Sequence, residues 1–146
     1  MAVKPIPDGY HSVTPYLVVD GAEELLTFVK QAFGAEETVR MGGPDGKIGH
    51  AEIRIGDSIV MLADATAQSA QLQAMLHLYV DDADATYARA LEAGATSVRE
   101  LKDEFYGDRT GGVRDQFGNQ WFLATHIEDV SEEEMARRAQ ELATAP

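Results

Sequence analysis

The chain concentrates its candidate chemistry in two alternating stretches, KIGHAEIRI and AMLHLYV. A strand sends successive side chains to opposite faces. In the first stretch, Ile48, His50, Glu52 and Arg54 therefore share one face, and Gly49, Ala51, Ile53 and Ile55 share the other. In the second, Leu76, Leu78 and Val80 oppose Met75, His77 and Tyr79. The apolar sets belong against helices, so His50, Glu52 and His77 are expected on one concave surface, facing a cavity or a dimer seam. Two readings of that trio stand open. One is a His/Glu acid–base pair, or polar anchors for a ligand. The other is a satisfied hydrogen-bond network that fixes the closure of the fold, because buried polar groups need partners. As a metal set the same three would suit zinc, nickel, iron or manganese.

A loop, Phe105-Tyr106-Gly107-Asp108-Arg109, brings together an aromatic pair, a carboxylate and a guanidinium. Tyr106 could stack on a ligand and Arg109 bind an anionic group or pair with Glu52; alternatively, Asp108 and Arg109 brace the loop. Trp121 and Phe122 could form an aromatic wall around a planar ligand or belong to the core, and Tyr16 and Tyr79 pose the same choice. Glycine-rich phosphate loops, serine elbows and zinc-binding His-Glu helices are absent from the sequence. With no cysteine, thiolate metal sites and cysteine nucleophiles are excluded. The net charge of −13 makes nucleic acid and anionic membranes poor partners and favours a neutral or cationic small organic ligand. No apolar run approaches the roughly 18 residues of a membrane span, and residues 1–8 lack a signal peptide's apolar core. A cytoplasmic location is expected.

The elements that must position these residues follow a repeated order. Strands are expected over 11–19, 36–41, 47–55 and 58–63, with a helix over 20–33 capped by Asp20 and stopped by Gly34. After a linker at 64–73, strands follow at 74–80, 96–101, about 111–114 and 120–126, with a helix over 82–93. Val18-Val19-Asp20 and Gly34-Ala35 in the first half match Tyr79-Val80-Asp81 and Gly94-Ala95 in the second. The period of about 60 residues suits a duplicated module rather than a solenoid unit. The expected fold is α+β in a single domain: two βαβββ modules, at about 11–63 and 74–126, form a curved, barrel-like mixed sheet around a cavity. A C-terminal helix at 131–142 opens on the capping box Ser131-Glu132-Glu133-Glu134. Its narrow stripe of Met135, Ala139 and Leu142 suits docking on its own domain or on a partner.

The segments TPYLVVDGAEELLTFVKQAFGAEE, DGKIGHAEIRIGDSIVMLAD, LHLYVDDADATYARALEAGA and GDRTGGVRDQFGNQWFLATHIEDV resemble the PhnB-like branch of the vicinal-oxygen-chelate superfamily, the glyoxalase, bleomycin-resistance and dioxygenase fold. The resemblance implies paired βαβββ modules, a U-shaped cavity and a homodimer. It also implies that metal-dependent members place one ligand on the first and last strand of each module. Carried over, those positions fall at Thr14, at Val60 or Met61, at His77 and at Phe122. Only His77 is a good ligand, so no cofactor is expected. Three functions follow as expectations. The favoured one is a sequestering protein for a small aromatic or cationic compound, with His50, Glu52, His77, Tyr106, Arg109, Trp121 and Phe122 around the ligand. The second is a metal-dependent lyase, isomerase or dioxygenase using His50, Glu52 and His77. The third is a dimeric interaction protein with the C-terminal helix as its arm.

Overall fold

The computed structural model describes residues 2–146. Module one comprises β1 (Tyr16–Val19), α1 (Ala22–Phe33), β2 (Glu36–Gly42), β3 (Ile48–Ile55) and β4 (Ser58–Asp64), with a short 3-10 turn at Pro44–Gly46. Module two comprises β5 (Met75–Tyr79), α2 (Ala83–Glu92), β6 (Thr96–Asp103), β7 (Asp108–Arg114) and β8 (Gln120–His126), and α3 (Glu132–Thr144) follows. No helix among the described residues is long and apolar enough to cross a membrane.

Each module makes its own curved four-stranded sheet, in the orders β1-β4-β3-β2 and β5-β8-β7-β6. The first strand of each pairs in parallel with the last, and the other pairs are antiparallel. The expected duplicated βαβββ order is therefore present. The two sheets share no ladder, so one chain does not close a barrel. The helices explain why. Leu25, Leu26, Val29 and Ala32 on α1 are buried against Leu17, Val19, Ala51, Ile53 and Leu62 of the first sheet. Thr86 and Ala90 on α2 are buried on the second. The two helices then pack on each other. Trp121 of β8 crosses this seam, with its ring 4.9 Å from Phe33 and 6.5 Å from Phe28. Both helix-bearing faces look inward and share one core. The opposite faces of both sheets look outward.

Several element boundaries differ from expectation for local reasons. β1 begins at Tyr16, not residue 11, because Pro15 has no N–H to continue a ladder; its carbonyl still accepts from the Met61 amide at 2.9 Å. Asp20 does not cap α1. The cap is supplied from β4, where the Asp64 carboxylate accepts from the amides of Gly21 and Ala22 at 3.1 and 2.8 Å. Its other oxygen accepts from the Ile48 amide at 2.8 Å. Asp64 is thus a working residue rather than linker. Burial pushes its carboxyl up, and these three donors outweigh that and hold it below the usual carboxylate range. β7 starts at Asp108, three residues earlier than expected, which moves Asp108 and Arg109 from a loop into a strand. Only half of the capping box forms: Ser131 accepts from the Glu134 amide at 3.1 Å, while the Glu134 carboxylate turns to Arg137 and Arg138.

Candidate functional site

The outward face of module one is set by strand register. Tyr16 lies opposite Met61, Met61 opposite Glu52, and Glu52 opposite Val39. Cross-strand partners share a face, so Tyr16, Met61, Glu52, His50 and Met41 occupy one surface. Polar groups there are joined end to end. Tyr10, from the segment before β1, donates its hydroxyl to Glu52 Oε1. Glu52 Oε2 lies 2.7 Å from His50 Nε2, and His50 Nδ1 lies 2.8 Å from the Tyr16 hydroxyl. Burial pushes the Glu52 carboxyl up, but the Tyr10 and His50 donors outweigh it and hold it below its ordinary value. The same Glu52 contact pushes the Tyr10 phenol up.

Module two carries a second network on its own outward face. Asp108 on β7 accepts from the Tyr79 hydroxyl at 2.7 Å and contacts His126 Nδ1 at 2.7 Å. His126 Nε2 reaches Asp129 at 2.7 Å. The hydrogen bond to Asp108, then that to Asp129, raises His126 above the ordinary histidine value. Beside this network, Phe122 lies opposite Gly112, and a Cβ at residue 112 would sit 2.7 Å from the Phe122 ring. Glycine there lets the ring lie over the strand. The Arg99 guanidinium covers the ring at 5.7 Å, a cation–π arrangement. A groove of about 850 Å³ runs between the modules, with Phe33, Ile55, Leu76, His77, Tyr79 and Arg89 among its lining residues.

The expected site residues separate. His50 and Glu52 meet, on sheet one. His77 faces outward from sheet two, so within one chain the trio shares no surface. Among the described residues no three His, Cys, Asp or Glu side chains converge on a point where they could hold a metal. The ligand positions carried over from the resemblance also shift. Thr14 precedes β1. Tyr16 stands opposite Met61 as His77 stands opposite Phe122, so Tyr16 is the counterpart of His77. Val60 is buried on the helix side, which leaves Met61 as the outward fourth-strand residue. Tyr16, Met61, His77 and Phe122 offer one imidazole and one phenol, a donor set that does not fit a divalent ion.

Arg109 points to the helix side and is held by Asp84 at 2.9 Å and Asp103 at 3.0 Å. It reaches neither Glu52 nor an outward ligand, and its partner is not Asp108. Trp121 is fully buried and donates its indole N–H to Asp115 at 2.9 Å, so it belongs to the core. Tyr106 lies in the turn between β6 and β7, half-buried and edge-on to Phe105. Phe122 does face outward. Sequence reasoning missed Tyr10 and His126, and read Asp108 as a loop carboxylate bracing Arg109 rather than as the partner of Tyr79 and His126. Alternation from Phe122 through QWFLATH would have placed His126 on the Phe122 face.

A family model described as the Glyoxalase/Bleomycin resistance protein/Dioxygenase superfamily matches residues 9–123. The chain belongs to this superfamily. An uncharacterised protein of Mycobacterium bovis is 41% identical over 135 residues, covering 85% of this chain and 89% of its own. Among solved structures, TioX from Micromonospora sp. ML1 superposes with a TM-score of 0.68 at 24% identity, covering 80% of this chain and 99% of its own. A PhnB protein from Bacillus cereus gives 0.63 at 16% identity, covering 79% and 99%. Both likenesses concern the fold.

Proposed function

We propose that this superfamily member is a small-molecule-binding, sequestering protein that works as a homodimer and holds its ligand without the usual metal. The support is the state of the outward faces. Tyr16 and Met41 on module one are 45% and 55% exposed, and Met75 and Tyr79 on module two are 67% and 65% exposed. They surround polar networks that are already satisfied within the chain. Curved faces carrying that much apolar surface call for cover. In the dimer, module one of one copy covers module two of the other, and a ligand lies between them. Phe122, Tyr79 and Tyr16 line such a pocket with aromatic surface, which suits a planar aromatic compound. The overall negative charge suits a neutral or cationic one.

The experiment is calorimetric titration of the purified protein with a panel of planar aromatic compounds, together with its mass in solution. The expected result is a dimer of the 15.9 kDa chain that binds at least one compound well below millimolar. A monomer that binds none would overturn the reading.

A further inference from the structure

On the outward face of module one, side chains from three separate segments form one unbroken chain: Tyr10, Glu52, His50, Tyr16. Its polarity follows from elementary bonding. An ionised carboxylate only accepts, so the hydrogen between Glu52 Oε2 and His50 Nε2 belongs to the imidazole. With the imidazole neutral, its hydrogen lies at Nε2 and its lone pair at Nδ1, so the Tyr16 hydroxyl donates there. Tyr10 occupies the other Glu52 oxygen and keeps the carboxylate from turning away. Every hydrogen in the chain therefore points toward Glu52, and the spare capacity lies at the Tyr16 oxygen. The Glu52 and His50 side chains are 9% and 22% exposed beneath it.

Tyr10 and His50 satisfy Glu52 under cover, and Tyr16 supplies the partner for the remaining His50 nitrogen. A structural role alone does not explain why that partner is a half-exposed phenol. A phenol exposed to this extent can bond to water at little cost, yet its hydrogen is committed to an imidazole already oriented by a carboxylate. Neighbouring charge does not compete: Arg54, the next residue on that face of β3, is paired with Glu36. Burial and the Glu52 charge push Tyr16 ionisation up, so the phenol keeps its hydrogen for the imidazole.

We propose that Tyr16 is the group on this face that exchanges a proton with the ligand, and that the ligand class it serves is phenols and enols. This rests on the binding reading above, because the ligand must sit on that face. The ligand hydroxyl donates to the Tyr16 oxygen. Its O–H bond breaks as a new O–H bond forms on Tyr16, and the original Tyr16 hydrogen moves to His50 Nδ1. The ligand oxygen keeps the bonding pair and becomes an oxyanion held by the still-neutral Tyr16. His50 becomes an imidazolium against Glu52. One proton has moved from ligand to imidazole, and no electron has left either. The reverse transfer returns a proton to a bound enolate or phenolate, the work of a general acid–base pair.

The test uses 4-nitrophenol, whose anion absorbs visible light and whose neutral form does not, with the full-length protein. Wild type should bind it and lower its apparent ionisation midpoint by about one pH unit, a tenfold change in the equilibrium. Tyr16→Phe should still bind but lose the shift, and His50→Gln should lose it with the Tyr16 hydroxyl intact. Nitrogen NMR of His50 supplies a second readout: Nδ1 carries no hydrogen in the free protein and gains one when nitrophenol binds. Bound probe with unshifted ionisation, or a full shift in Tyr16→Phe, overturns this proposal and leaves the binding reading standing. Failure to bind nitrophenol overturns this proposal; failure of the uncharged aromatic panel as well overturns the parent reading.

Discussion

Replacing Asp115 with alanine should cost about 3 kcal/mol of stability. Asp115 is 5% exposed, in the turn between β7 and β8. Its carboxylate accepts from Trp121 Nε1 at 2.9 Å, from the Phe117 amide at 2.9 Å and from the Asn119 amide at 3.0 Å. Trp121 and Asn119 have no exposure, so alanine strands two donors that water does not reach, each worth about 1–3 kcal/mol. The sum is about 2–6 kcal/mol. Removing a buried charge gives some of it back, which places the expectation in the lower half. At about 3 °C per kcal/mol for a domain of this size, the melting temperature should fall by about 10 °C. The assay is urea denaturation followed by tryptophan emission, which reports Trp121 alone because the chain has one tryptophan. Asp115→Asn keeps the shape and one accepting oxygen, so it should lose less. A loss under about 1 kcal/mol in Asp115→Ala, with emission unchanged, would refute the claim that this carboxylate pins the residue joining the two modules.

Glu52 is held below its ordinary ionisation range, so its contribution is present in full above the usual carboxylate value of about 4 and is lost as pH falls through the lower folded value. Glu52→Gln should therefore flatten the acid side of the melting curve against pH; parallel curves for the two proteins would contradict this. Gly107 holds φ at +101°, and a Cβ there would run into the Glu128 carbonyl. Gly107→Ala should cost at least about 2 kcal/mol in the same urea assay, since strain and clash add, and an unchanged midpoint would count against the observed turn. Protein prepared without chelator should carry no stoichiometric divalent ion by elemental analysis. A near-stoichiometric one would reinstate a donor set that includes His50, Glu52 and His77, assembled across two copies.

Period-two alternation in KIGHAEIRI and AMLHLYV was enough to say which residues share a face, and β3 and β5 keep those faces. Ala51 and Ile53 are fully buried toward α1, while His50 and Glu52 look the other way. The duplicated order was equally legible, because Gly34 and Gly94 close helices that follow matching strands. Alternation cannot say which sheet a face confronts. His50 and His77 each sit on the polar side of their own strand, yet those sides point apart because α1 and α2 pack between the sheets. Nothing local in either strand encodes that. It follows from long-range contacts such as Trp121 with Phe33, and Trp121 reads equally well as a core residue or a ligand wall until its neighbours are known. The same limit hid the proton chain. Tyr10 and Glu52 are 42 residues apart, and Tyr16 and His50 are 34 apart. Spacing on a single strand can find a His two residues from a Glu, but only the parallel pairing of β1 with β4 sets a phenol against that imidazole. A chain whose modules stand back to back leaves both outward faces open within one copy, so residues that share a polarity pattern on two strands need not share a surface.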